Sequence, residues 1–236
     1  MTTTIAPPSI KLLLGESRAA WAYGRYLLRG LGHRQLPLGK GQPVLVVPGF
    51  GASDASTRPL RRALSKLGYN VYGWAQGTNL GMNSKRKNLL VTQLQAINTR
   101  HGQPVALVGW SLGGVFAREL ARAFPDQVSQ VFTLGSPINR DPEANNVTAL
   151  FKLFNPNRQN PDHDAFQARI TPPPVPCTAI YTRDDGIVSW PCCLENDGPN
   201  TDNVEVAGTH VGLPWNPAVL AAIAERLARY DSERDK

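Results

Sequence analysis

Six short apolar runs punctuate this chain, at residues 44–47, 70–74, 105–108, 128–134, 177–182 and 203–206. Helix-type segments lie between most of them or close the series, at about 54–67, 84–100, 112–124 and 217–230. That alternation is the strongest constraint on the fold. A strand wetted on one face alternates apolar and polar side chains, whereas a strand covered on both faces is apolar throughout. Continuous runs joined by helices therefore predict an α/β fold, with a mostly parallel sheet of about six core strands and helices on both faces. The last helix has a defined start: Asn216 is its cap, and Pro217 takes the first helical position, where a missing N–H costs nothing.

The 236 residues suit one α/β domain spanning 1–236, with two additions to the alternating core. The first is an N-terminal extension over about 1–40. Within residues 9–29, Leu12, Leu13, Ala19, Ala20, Tyr23 and Leu27 recur at helical spacing behind Ser9, a candidate cap, which predicts one helix leaning on the core. The Gly- and Pro-containing stretch 30–43 then connects it to the first strand. The second addition is a cap-like insertion over about 138–176, too long for an ordinary loop. Val147, Leu150, Phe151 and Phe154 fall there at i, i+3, i+4 and i+7, one apolar stripe on a short helix. Pro172, Pro173, Pro174 and Pro176 hold the chain extended into the next strand. Two readings stay open for this insertion: a helix packed permanently on the core, or a cap over a site, lining an acyl pocket.

The sequence Gly109-Trp110-Ser111-Leu112-Gly113 stands directly after one apolar run and directly before a helix. A serine hydroxyl is a weak nucleophile unless it projects from a sharp turn beside a base, and flanking glycines permit such a turn. With the helix starting at the serine, orphan N–H groups and the helix dipole face any negative charge that develops there. Ser111 is therefore the candidate nucleophile. Its base and the orienting acid are expected later in the chain, acid first. Of the four histidines, His33 and His101 precede the serine and His163 lies in the insertion, which leaves His210, in the loop after the last strand. The acid belongs in the turn after the preceding strand, Thr182-Arg183-Asp184-Asp185-Gly186-Ile187-Val188. Asp185 is preferred because Asp-Gly-Ile-Val places the acid at the turn with two apolar residues after it, and Asp184 is the alternative. An oxyanion on the substrate needs two preorganised N–H donors. Leu112, next to the nucleophile, supplies one, and Phe50 in Pro48-Gly49-Phe50-Gly51 is the candidate for the other.

These residues make the chain resemble the α/β-hydrolase superfamily, and within it compact bacterial serine esterases and lipases, over about residues 43–230. Gly109 to Gly114 is similar to that superfamily's nucleophile elbow, Asp185-Gly-Ile-Val to its acid turn and His210 to its histidine loop. Pro48-Gly49-Phe50 resembles its His-Gly-x oxyanion segment, with proline in place of histidine. The resemblance extends into 74–81 and Gly135-Ser136-Pro137, read as pocket edges. It implies the trimmed form of the fold and a serine hydrolase acting on carboxylic esters, an esterase or lipase, through an acyl-enzyme. Trp110, Phe50, Phe151, Phe154, Trp190 and Leu213 are candidates for an apolar substrate pocket. A thioesterase, amidase or acyltransferase would use the same triad, and a non-catalytic binding protein on this fold is a third class. A serine at the elbow argues against dehalogenase-type relatives, which need a carboxylate there.

Composition narrows the remaining choices. The net charge of +7 and pI near 9.6 come partly from Arg58, Arg61, Arg62 and Lys66, then Lys85, Arg86 and Lys87, on two expected helices. Solvated faces explain such charge; attraction to an anionic lipid surface is the sharper alternative. No nucleic-acid motif accompanies the charge. The expected partner is a small-molecule or lipid ester, and no metal or organic cofactor is implied. Cys177, Cys192 and Cys193 have no metal-type spacing and read as free thiols. The opening residues form a poor secretory signal, so a cytoplasmic location is expected, with secretion after signal removal as the alternative. Activity should rise as His210 loses its proton, near the usual histidine pKa of about 6.5 unless the site shifts it.

Overall fold

The computed structural model describes residues 5–30, 36–139, 146 and 170–234. The six apolar runs are six strands: β1 (Pro43–Val47), β2 (Asn70–Gly73), β3 (Val105–Trp110), β4 (Val128–Leu134), β5 (Cys177–Tyr181) and β6 (Thr201–Glu205). They lie in the order β2-β1-β3-β4-β5-β6, and all five neighbouring pairs are parallel. Every residue of β1, β3, β4 and β5 is buried, which is why their sequences are mostly apolar on both faces, with Ser129, Gln130, Thr133 and Thr178 as buried polar exceptions. Successive side chains feed opposite layers. Val44, Val46, Val108, Phe132 and Ile180 pack with Leu60 and Leu64 of α3 (Asp54–Lys66) and with Leu220 and Ile223 of α6 (Pro217–Arg234). Leu45, Val47, Leu107 and Val131 pack with Leu90 and Leu94 of α4 (Ser84–His101) and Phe116 and Leu120 of α5 (Leu112–Ala123).

The chain leaves β1 for β2 on one side and returns past β1 to β3 on the other. The loops after β1 and β3 therefore part at the carboxyl edge of the sheet, the place where such folds open a crevice. Side-chain caps begin α3, α4 and α6: Ser53 Oγ accepts from Ala55 N–H (3.3 Å), Asn83 Oδ1 from Arg86 N–H (2.9 Å) and Asn216 Oδ1 from Ala218 N–H (2.9 Å). The edge strands differ from their apolar runs. β2 stops at Gly73 because the next two N–H groups, of Trp74 and Ala75, donate to the Asp54 carboxylate at 3.0 and 2.9 Å. β6 starts at Thr201, ahead of its run, because an edge strand half-open to water tolerates the polar Thr201 and Asp202.

The N-terminal extension holds two helices where one was expected, α1 (Ile10–Gly15) and α2 (Arg18–Arg29). Ser9 Oγ accepts from Leu12 N–H at 3.4 Å, and the chain breaks at Glu16, whose side chain turns inward and is buried. Ala19 is buried, and Tyr23 meets Trp215 edge-on at 5.2 Å. The outer face of α2 carries Trp21 and Leu28, 68% and 87% exposed, with the Arg25 guanidinium 4.8 Å from the Trp21 ring. No described helix is long and apolar enough to cross a membrane.

The ends of the insertion meet at one buried cation. Arg118 of α5 donates to Ile138 O (3.3 Å), Ile170 O (3.4 Å), Thr171 O (3.2 Å) and the Glu195 carboxylate (2.8 Å). Both members of the ion pair are 1% exposed. Burial pushes the guanidinium pKa down and the Glu195 carboxyl pKa up, while their mutual attraction opposes both shifts. The helix expected on Val147, Leu150, Phe151 and Phe154 lies outside the described residues. Cys177, Cys192 and Cys193 are free and buried; burial, with the nearby Glu195 charge, pushes the Cys177 thiol up to about 12.

Candidate active site

β3 ends at Trp110, and α5 begins at Leu112 with one residue between them. That residue, Ser111, has φ 53° and ψ −123°, a conformation costing a side-chain-bearing residue about 1–3 kcal/mol. Packing holds it there. The Ser111 N–H donates to Leu134 O at 2.8 Å, and the elbow closes only because Gly109 has no side chain: a Cβ would fall 2.3 Å from Gly114 Cα. As the first residue of α5, Leu112 has an N–H with no partner inside the helix, pointing where the dipole favours an anion.

The loop after β1 lies against the elbow, for a Cβ on Gly49 would sit 3.1 Å from Ser111 Cβ. Phe50 is half-buried in this loop, which is fastened on either side of it by Asn79. The fully buried Asn79 side chain donates to Pro48 O (2.8 Å) and accepts from Gly81 N–H (3.1 Å). Its backbone accepts from Gly51 N–H and donates to Ala52 O, both at 2.8 Å. Arg86 steadies the same stretch through Gly81 O (3.1 Å) and Thr78 O (3.4 Å). Sequence reasoning placed 74–81 at a pocket edge without singling out Asn79; a polar residue in a glycine-bearing loop was the only signal.

Asp185 and His210 are in direct contact. Asp185 Oδ2 lies 2.7 Å from His210 Nδ1, and both residues are buried. The other carboxylate oxygen accepts from Ile187 N–H (2.9 Å) and Val188 N–H (2.7 Å), so one oxygen holds the turn and one holds the imidazole. Asp184 faces water and pairs with Arg18 at 3.2 Å. His210 is tied to the elbow through its backbone: Trp110 Nε1 donates to His210 O at 3.2 Å, and the two rings lie 5.9 Å apart. Gly135, with φ 55°, makes room for the pair, since a Cβ there would be 2.9 Å from His210 Nδ1 and 3.1 Å from Asp185 Oδ2. Nε2 is the nitrogen left for the serine side. Among the described residues no hydrogen bond joins it to Ser111 Oγ, a contact that commonly tightens only with substrate bound.

Burial pulls the His210 pKa down, but the Asp185 charge and hydrogen bond, with a further contribution from the Glu16 charge, outweigh it and leave the pKa raised. Glu16 is the residue that sequence reasoning missed altogether. From the break between α1 and α2 it accepts the N–H groups of Gly186 (2.8 Å), His210 (3.0 Å) and Val211 (2.9 Å).

Of the expected pocket residues that are described, Trp110 and Leu213 belong to one apolar cluster and Trp190 to another. Trp110 and Leu213 are 8% and 0% exposed, packed in the core layer beneath the histidine loop. Trp190 is half-buried and stacks on Tyr181 at 5.7 Å, with the Arg183 guanidinium 4.5 Å from its ring. Phe151 and Phe154 lie outside the described residues.

Residues 42–171, just over half of the chain, match the family described as the alpha/beta hydrolase fold. Over 103 residues the chain is 32% identical to the pimeloyl-[acyl-carrier protein] methyl ester esterase of Aliivibrio salmonicida, a match covering 42% of this chain and 37% of that protein. The corresponding Shewanella woodyi esterase is 28% identical over 99 residues, 42% of this chain and 38% of that one. The matches thus span well under half the length of these relatives. Among solved structures, one reported with the metagenome-derived lipolytic enzymes LipS and LipT superposes with TM-score 0.62 at 18% identity, covering 84% of this chain and 96% of its own. Aspergillus fumigatus lipase B gives 0.63 at 18%, covering 80% of this chain and 53% of its own. At these identities the structural likeness is one of fold. The strand order, the elbow after β3 and the family match lead to one conclusion: this chain belongs to the alpha/beta hydrolase family.

Proposed function

We propose that the protein is a serine hydrolase that cleaves carboxylic esters, with Ser111 as nucleophile, His210 as general base and Asp185 as the acid that orients it. The observation carrying this reading is the buried Asp185–His210 contact of 2.7 Å, tied through Trp110 to a serine held at positive φ. Asp185 keeps the Nδ1 proton in place, which leaves Nε2 unprotonated and able to accept. Ser111 Oγ attacks the ester carbonyl carbon while its proton passes to Nε2. The carbonyl π pair moves onto oxygen, where the N–H groups of Leu112 and Phe50 receive the charge. Collapse of this intermediate expels the alkoxide, which takes the proton from Nε2 and leaves as alcohol. Water then repeats the sequence on the acyl-enzyme, releasing acid and restoring Ser111. Each oxyanion donor is worth about 2.7–4 kcal/mol in such sites.

The esterase names of the sequence relatives favour an ester over an amide or thioester as the first substrate to try. The test is hydrolysis of chromogenic esters over a range of acyl lengths, methyl esters included, by wild type and Ser111→Ala. Loss of activity in the variant supports the reading, and hydrolysis surviving it overturns the reading. A wild type inert on every ester directs the panel to thioesters and amides, and inertness there leaves a binding protein on this fold.

A further inference from the structure

Glu16 precedes the region matched to the family, yet its carboxylate touches the backbone of both loops that carry the acid–base pair. Oε1 accepts from Gly186, the residue after Asp185, and from His210 itself; Oε2 accepts from Val211, the residue after His210. Three N–H donors on one buried carboxylate are charge-assisted bonds, roughly twice as strong as neutral ones. The extension is fitted to the acid turn at close range, since a Cβ on Gly186 would lie 2.3 Å from Leu12 O of α1. Asn146 adds a second tie, its side chain donating to Gly186 O (2.7 Å) and to Pro8 O (3.2 Å).

We propose that Glu16 is a positioning residue of the active site, supplied by the N-terminal extension, which holds the Asp185 turn and the His210 loop at the spacing their hydrogen bond requires. The proposal rests on the hydrolase reading above. The charged groups that bear on the imidazole are Asp185 and Glu16, and both raise its pKa. Glu16 therefore acts on the base in two separable ways, by geometry and by charge.

Glu16→Gln keeps the size, removes the charge and sets an amide NH2 against one or more N–H donors. The expected result is a kcat for a short chromogenic ester lowered roughly tenfold to hundredfold, the scale of a base displaced by about an ångström. KM should stay close to the wild-type value, because Glu16 touches no substrate. The acid limb of the kcat/KM profile should move to lower pH, as one of the charges raising the histidine pKa is gone. A purely structural residue would lower the thermal midpoint without moving that limb, and kcat and limb both at wild-type values overturn the proposal. If Glu16→Gln does not fold, Glu16→Asp carries the test. It keeps the charge but is one methylene too short to span Gly186 and Val211 together, so kcat should fall while the limb stays; an unchanged kcat overturns the proposal. Ser111→Ala runs beside these variants. Ester hydrolysis surviving in it sinks the hydrolase reading itself, whereas an inactive Ser111→Ala beside an unperturbed Glu16→Gln removes only the role of Glu16.

Discussion

Replacing Asp185 by asparagine exchanges one oxygen for an NH2 group, and the structure shows that neither orientation of the amide can satisfy the site. In the wild type Oδ1 accepts from Ile187 and Val188 N–H, while Oδ2 meets His210 Nδ1 at 2.7 Å. If the amide oxygen keeps the two backbone donors, the NH2 faces Nδ1 and favours the tautomer protonated at Nε2, the nitrogen that must accept the serine proton. If the oxygen faces Nδ1, the NH2 opposes two N–H groups and the turn loses its anchor. The first arrangement retains the fold and costs on the order of 10⁴-fold in kcat, about 5.4 kcal/mol of transition-state stabilisation. The pH profile should move as well. Burial lowers the His210 pKa, and Asp185 supplies the largest opposing effect. Without its charge, burial prevails and the acid limb shifts to lower pH even as the plateau collapses. Steady-state hydrolysis of a chromogenic ester from pH 5 to 9 measures both, with Asp184→Asn as control. Among the described residues the half-exposed Asp184 carboxylate pairs with a similarly exposed Arg18, so its variant should stay near wild type. A kcat within tenfold of wild type for Asp185→Asn, or an acid limb moved upward, would refute the assignment of Asp185 as the orienting acid.

Gly135→Ala should lose most activity with a modest fall in stability, because the new Cβ presses on His210 Nδ1 at 2.9 Å from a backbone already at positive φ; kcat alongside a melting curve checks it. Glu195→Gln should lower unfolding free energy by about 3–5 kcal/mol, since it removes the carboxylate that pairs with the buried Arg118 guanidinium, and denaturant unfolding followed by fluorescence measures this. The raised His210 pKa should make the protein less stable as pH climbs from about 6.5 through the folded-state value, because the proton bound more tightly in the native state is released there; midpoints that do not fall across that range contradict it. Trp21 and Leu28 project from a helix that also carries Arg18, Arg25 and Arg29, a composition that partitions onto anionic lipid interfaces. Co-sedimentation with phosphatidylglycerol vesicles should therefore exceed that with phosphatidylcholine and fall for Trp21→Ser/Leu28→Ser; equal recovery on both lipids would end that expectation.

How far the site can be read from the sequence depends on where the information resides. Ser111 is legible because elbow, strand and helix are contiguous, so one short stretch records the whole local geometry. The choice of Asp185 over Asp184 leaned on the residues that follow, and in the fold the N–H groups of Ile187 and Val188 are what grip its carboxylate. Buried parallel strands announce themselves as apolar runs; the edge strands, half-wet, blur by a residue or two at their ends. Glu16 and Asn79 are another matter. Their partners are backbone groups, which every residue possesses, and in the case of Glu16 they lie 170 to 195 positions away. An acidic residue between two helical turns looks like any solvated glutamate until the tertiary fold brings those N–H groups to it. Trp110 and Leu213 illustrate another limit: apolar residues flanking the candidate catalytic positions read as pocket from the sequence, and the fold shows them buried in the core layer.

The Arg118 clamp bears on how the stretch between β4 and β5 could change in length over time. Ile138, where the chain leaves the sheet after β4, and Ile170 with Thr171, where it returns before β5, are bound to the same guanidinium. For the sheet, the stretch between them is a closed circuit whose two terminals are already fixed. Doubling the length of such a circuit costs only about 0.6 kcal/mol in closure entropy, provided the terminals hold. Lengthening or shortening that stretch away from Asn146, whose side chain ties to Gly186 O and Pro8 O, can thus be tried without re-registering any strand or moving the elbow. Arg118 is in that sense a socket that holds both terminals of the segment whatever its length.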